Sequence, residues 1–174
     1  TDTVVRGNFK FVKTSETGRK LGNIPFSLKS NTTNEEFLIE TDENGYFESK
    51  GSGVWFGAKE DKLDSDGALP YDTYTLTEQR CEANKGMNLI TKTFTIDGNE
   101  EVLDLGTIID HELRISTSAK NKDTGTQMIK ADKGVNIIDT VSYENLDPDV
   151  EYTILGTLMD KDTNSEIGIT ASTT

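Results

Sequence analysis

The sequence predicts an all-β chain of two tandem β-sandwiches, the second of them incomplete. Three observations carry that expectation. Val, Ile, Phe and Tyr recur at alternate positions over short runs, the period of a strand with one buried face. Thr is abundant, and clusters of Gly, Asn and Asp punctuate the runs. The one helix-compatible stretch, near Glu82–Lys85, is too short to hold by itself.

The first strand is expected over Gly7–Thr14, where Phe9 and Phe11 mark the inward face, and Ser15-Glu16-Thr17-Gly18 turns the chain. Strands follow at Pro25–Ser30, Glu36–Thr41 and Gly45–Ser49, the last two separated by the turn Asp42-Glu43-Asn44-Gly45. Lys50–Tyr71 lacks alternation and is rich in Gly and Asp, which predicts a long surface excursion held to the core by Trp55 or Phe56. Alternation resumes at Thr73–Gln79, Ile90–Ile96 and, after Asp97-Gly98-Asn99, Val102–Asp110. Seven or so short strands of this kind argue for an immunoglobulin-like or prealbumin-like sandwich over residues 1–111. A second unit, 112–174, offers Leu113–Ala119, Val135–Tyr143 and Glu151–Met159, with turns at Asn121–Gly125 and Asp160–Asn164. Three or four strands are too few for a closed sandwich. The chain therefore reads as a segment of something longer.

Composition narrows the function. With 18 Lys+Arg against 31 Asp+Glu, the formal net charge is −13. Such a chain is ill suited to track nucleic-acid phosphates or to coat an anionic membrane. No apolar run reaches the roughly 18 residues of a membrane-spanning helix. The single cysteine, Cys81, excludes an internal disulfide and reads as a small packed residue. One histidine, His111, leaves few zinc sites or catalytic triads. The acidic loop Glu60–Gly67 lacks the spacing of an EF-hand and reads as solvated, so neither metal nor cofactor is expected.

The informative residues are those that break the apolar faces. Residues two apart in a strand share a face, so Lys13 follows Phe9 and Phe11 inward, Glu78 follows Tyr74 and Leu76, and Asp110 follows Ile108. Any one of them alone reads as a strand end escaping to solvent, because buried Lys, Glu and Asp are rare unless paired. One cation and two carboxyls together point to a shared buried site. Burial lowers a lysine pKa and raises a carboxyl pKa, which yields a nucleophilic amine beside a protonated, electrophilic carboxyl. In contact and out of water, Lys13 would attack the side-chain carbonyl carbon of Asp110 while Glu78 shuttles protons. Loss of water leaves an isopeptide bond. Proximity alone supplies about 7–11 kcal/mol of such a barrier.

Phe9-Lys10-Phe11-Val12-Lys13-Thr14, Ile24-Pro25-Phe26-Ser27-Leu28, Thr41-Asp42-Glu43-Asn44-Gly45, Tyr74-Thr75-Leu76-Thr77-Glu78 and Ile108-Ile109-Asp110 resemble the collagen-adhesin B-type domains of Gram-positive surface proteins and pilins. The resemblance implies a spontaneous intramolecular isopeptide bond, with Lys13 as nucleophile, Glu78 as proton relay and Asp110 as acceptor. Two departures stand out, one of them the long insertion around Gly51–Pro70. That family often follows its Glu with a short Ala-Pro-x-Gly-Tyr run, whereas here Gln79–Gly86 intervenes without a proline.

In the second unit, Thr117 and Asp139 are the polar members of otherwise apolar strand faces. From pattern alone Thr117 reads as a satisfied buried hydroxyl. Ile115-Ser116-Thr117-Ser118-Ala119, Ile138-Asp139-Thr140-Val141-Ser142-Tyr143 and Tyr152–Met159 are similar to the start of the Thr–Gln ester-bond domains of Gram-positive adhesins. That similarity implies an ester half-site, with Thr117 as the esterified residue and Asp139 assisting. No counterpart of the family's Gln, Glu or His follows; Gln127 lies in an early loop and His111 precedes the unit.

Together these readings imply a structural stalk segment of a secreted, cell-wall-attached adhesin or pilin, self-cross-linked once during folding and not a turnover enzyme. Its partners would be neighbouring domains of the same surface protein and a host extracellular-matrix or cell-surface ligand. The alternative is a ligand-binding adhesin module that uses the 50–71 insertion.

Overall fold

The structure is a computed structural model that describes residues 4–59, 68–129, 134–147 and 150–174. The acidic loop Glu60–Gly67, read as solvated, lies outside the described residues.

The first unit is a β-sandwich of two four-stranded sheets, as the alternation predicted. β1 (Arg6–Ser15) is the spine of one sheet. It pairs antiparallel with β4 (Tyr46–Glu48) and β5 (Leu69–Pro70), and parallel with β8 (Val102–Asp110). The other sheet runs in the order β3 (Glu36–Glu40), β2 (Pro25–Ser30), β6 (Asp72–Glu78), β7 (Thr91–Ile96), all antiparallel. β5 falls inside the stretch read as loop. Two residues carry no alternation to detect, yet Leu69 is fully buried and pairs with Gly7.

The two sheets meet through aromatic rings. Phe9 of β1 packs on Phe94 of β7 at 4.6 Å between centroids, and Phe11 meets Phe26 of β2 edge-on at 5.1 Å. The edge-on pair is the T-shaped arrangement that ring quadrupoles favour. Gly45 closes the turn into β4 with φ +75°; a Cβ there would sit 2.5 Å from the Lys13 carbonyl oxygen, so only glycine lets the turn approach β1.

The 50–71 segment is tied down from both sides. Phe56 is buried and packs edge-on against Tyr74 and Phe37. Trp55 lies over the guanidinium of Arg6, 3.7 Å from ring centroid to Cζ. Arg6, itself fully buried, donates to the carbonyls of Phe56 and Ala68 at 2.6 and 3.2 Å. Arg6 thereby fastens both ends of the excursion to β1, a role that a basic residue before an aromatic strand does not announce.

The second unit contains β9 (Arg114–Asn121) paired with β10 (Ile137–Glu144), and β11 (Ile154–Asp160) paired with β12 (Ser165–Thr173). These are separate two-stranded sheets. β12 goes beyond the expected strands; Ile167 and Ile169 are its only large apolar residues, too few for a clear period. Ile115 and Tyr143 are each 62% exposed, and Leu155 70%. The connection between the units is itself paired. Asn88 donates to the His111 carbonyl, His111 N–H donates to the Asn88 side chain, and Leu113 N–H reaches the Gly86 carbonyl.

Candidate cross-linking site

The parallel β1–β8 register sets Lys13 opposite Ile108 and Ser15 opposite Asp110, so Lys13 and Asp110 are diagonal neighbours on one sheet face. Glu78 ends β6 in the facing sheet, opposite Phe26 of β2. All three side chains have no solvent exposure or almost none. Lys13 Nζ donates to Asp110 Oδ1, stands 3.2 Å from Glu78 Oε1 and lies 3.4 Å from the Ile108 carbonyl oxygen. The structure thus brings together the three residues that sequence singled out.

The charges decide the protonation. Two ionised carboxylates beside one ammonium would leave a net negative charge in the core, which is costly. Burial pushes Glu78 up, the neighbouring Asp110 carboxyl pushes it further, and Lys13 and Asn84 oppose them; the result is a value of about 8. Glu78 is therefore mostly protonated at neutral pH, and the cluster is close to neutral. Asp110 Oδ2 is buried without a hydrogen-bond partner among the described residues, a need that a proton shared between the two carboxyls meets. One lysine and two carboxyl side chains are thus in contact in a cluster closed to solvent.

One contributor escaped the sequence reading. Asn84, in a 3-10 turn over Glu82–Asn84, is fully buried and donates from Nδ2 to Glu78 Oε2 at 2.8 Å. Ile90 N–H reaches Glu78 Oε1 at 3.3 Å. Strand periodicity is silent about Asn84, because it lies in the segment between β6 and β7.

Thr117 and Asp139 are also diagonal neighbours, since Thr117 pairs with Val141 and Ala119 with Asp139. Both are exposed, contrary to the expectation of a buried hydroxyl; β9 and β10 pair only with each other among the described residues. Neither glutamine is placed to react with Thr117. Gln127 donates to Ser118, whose side chain lies on the opposite face of β9, and Gln79 donates to the Thr77 carbonyl in the first unit. His111 instead contacts Glu16, Nδ1 to Oε2 at 3.3 Å. Cys81 is half-buried against the core, as expected of a packed residue. Among the described residues no group of acidic, His and Cys side chains is arranged to hold a metal, and no helix is long and apolar enough to cross a membrane.

Residues 113–174 match the family model of the T-Q ester bond containing domain. The T-Q match falls on the segment in which Thr117 and Asp139 were singled out. No curated protein matches the chain. Among solved structures, the Bacillus anthracis TIE protein is similar at 20% identity, covering 80% of this chain and 27% of its own, with a TM-score of 0.44. BcpA, the major pilin subunit of Bacillus cereus, is similar at 17% identity over 66% of this chain and 31% of its own, TM-score 0.45. The group B streptococcus pilus 2b backbone protein is similar at 17% identity over 62% of this chain and 41% of its own, TM-score 0.40. The chain thus spans less than half the length of each of these proteins.

Proposed function

We propose that this chain is a stalk segment of a Gram-positive surface adhesin or pilin, secreted and attached to the cell wall through other parts of its parent protein. Residues 1–111 form a domain locked by an isopeptide bond between Lys13 and Asp110, with Glu78 as proton relay, and residues 112–174 form part of a Thr–Gln ester-bond domain. The observation that carries this reading is the buried contact of one ammonium with two carboxyls, an arrangement that stability alone does not favour over apolar packing.

The reaction balances within the cluster. A proton moves from the Lys13 ammonium to Asp110, leaving a free amine beside a neutral acid. Glu78 O–H polarises the Asp110 carbonyl, and Nζ adds to Cγ. The nitrogen gives up its proton through Glu78, the Cγ–OH bond breaks, and one water leaves. Glu78 ends as it began, so the event occurs once per chain and no turnover is implied. Thr117 and Asp139 are the ester half-site, and their electrophile comes from a part of the protein other than the two glutamines described. The partners are neighbouring domains of the same surface protein, with a host matrix or cell-surface ligand reached through the assembled stalk.

Intact mass of the purified chain tests the reading. A mass one water below that calculated is expected, with a linked Lys13–Asp110 peptide pair after proteolysis. A folded chain of full calculated mass would refute it.

A further inference from the structure

The segment that departs from the collagen-adhesin B-type pattern, Gln79–Gly86, places one buried polar side chain against Glu78. Asn84 is fully buried, and every polar atom of its side chain is used. Its Oδ1 accepts the Cys81 N–H at 2.8 Å, and its Nδ2 donates both to the Gln79 carbonyl and to Glu78 Oε2, each at 2.8 Å. The network fixes the orientation of the amide. Turned over, it would set Oδ1 against a carbonyl and Nδ2 against an N–H, so Nδ2 must face Glu78.

That orientation has a consequence for the relay. A neutral carboxyl has one carbonyl-type oxygen and one hydroxyl. Oε1 also accepts the Ile90 N–H, but at 3.3 Å; the shorter Asn84 N–H at Oε2 selects Oε2 as the acceptor and sends the proton to Oε1, the oxygen that faces Lys13 Nζ at 3.2 Å. Without that donor the remaining N–H contact is that of Ile90 to Oε1, which favours Oε1 as the acceptor and puts the proton on Oε2, the side away from the reacting groups. Resting on the cross-linking reading above, we infer that Asn84 is the positioning residue of the reaction, holding Glu78 by one oxygen so that the other carries the proton between Lys13 and Asp110. The turn that presents Asn84 is held in place by its neighbours. Arg80 hydrogen-bonds the Asn84 carbonyl, Met87 bridges Glu112, and Gly86 accepts from Leu113. Asn84 is thus placed from a rigid turn.

Asn84 also favours the ionised form of Glu78, against burial and Asp110. Its removal therefore has a signature beyond a slower rate, because Glu78 then loses its proton at higher pH.

The experiment follows water loss by mass while chain recovered unlinked from inclusion bodies refolds by dilution from guanidinium, over a range of pH. Asn84→Asp keeps the volume and still accepts the Cys81 N–H, but cannot donate to Glu78. Asn84→Ala removes the donor without adding a charge and serves where the Asp variant does not fold. In whichever variant folds, judged by circular dichroism and cooperative melting, the rate on the plateau should fall by about tenfold or more. The alkaline limb of its rate profile should move to higher pH. A folded variant that links at the wild-type rate with an unmoved limb overturns the inference, as does a slower rate with an unmoved limb, which marks a merely structural role. Wild-type chain that folds without losing water refutes the cross-linking reading instead.

Discussion

Glu78→Gln is the cleanest perturbation of the proposed chemistry. It keeps the volume of the side chain and its acceptor oxygen for Asn84, but removes the carboxyl that carries the proton. Lys13 and Asp110 remain as a buried ion pair, so the variant loses the bond without opening a cavity. The magnitude follows from topology. Lys13 and Asp110 are 97 residues apart. Chain-entropy arithmetic for a loop of that length gives about 4.7 kcal/mol of stabilisation from the cross-link. For a domain of about 110 residues, with an unfolding entropy near 2.1 cal/mol/K per residue, this corresponds to a fall of roughly 20 °C in melting temperature. Calorimetry paired with intact mass reads both quantities on one sample. Lys13→Ala should fall further, because it also leaves two buried carboxyls without their cation, a loss of about 3–5 kcal/mol. If Glu78→Gln has the wild-type mass deficit, or if it regains the water and melts within a few degrees of wild type, the link or its assigned contribution is wrong.

Three other outcomes are expected. Glu78 holds its proton more tightly in the folded, unlinked state than in the unfolded chain; its contribution is fully present below about 4.5 and lost as pH rises through about 8. Refolding above that value should therefore yield slower cross-linking, measured as time to half-maximal water loss. The mass deficit of the 1–174 chain should be one water with no loss of ammonia, because neither glutamine lies beside Thr117. Phe9→Ala, which empties the centre of the aromatic contact between the sheets, should cost about 3–5 kcal/mol in denaturant unfolding while the mass deficit persists in the fraction that folds.

The residues legible in advance were those whose role follows from strand period. Lys13, Glu78 and Asp110 each sit two positions after an apolar residue of known facing, so alternation alone sends them inward, and a one-residue register slip would have turned all of Phe9, Phe11 and Lys13 to the wrong face. β5 was not legible, because two residues have no period. Arg6 was missed for a different reason: its burial depends on carbonyls at Phe56 and Ala68, contributed by a segment about fifty or more positions away, and no local pattern encodes that. Thr117 was legible as a polar residue on an apolar face but not as exposed, since burial of that face depends on a covering layer and not on the strand itself.

Asn84 shows where strand logic stops and site logic must begin. A reactive carboxyl buried at the end of a strand needs its protonation controlled, and the next few residues are the nearest source of a donor. In Gln79–Gly86 the chain leaves β6, turns once, and returns an amide to Glu78 within six positions. A proline-bearing run would stiffen the same exit by fixing φ, but proline has no N–H to give and no side-chain donor. In this chain the donor is the side chain of Asn84, presented by the turn itself. Its absence from the strand alphabet is the reason it went unread: the signal is an asparagine in a tight turn close after a buried acid, which becomes meaningful only once Glu78 is known to be buried beside Lys13.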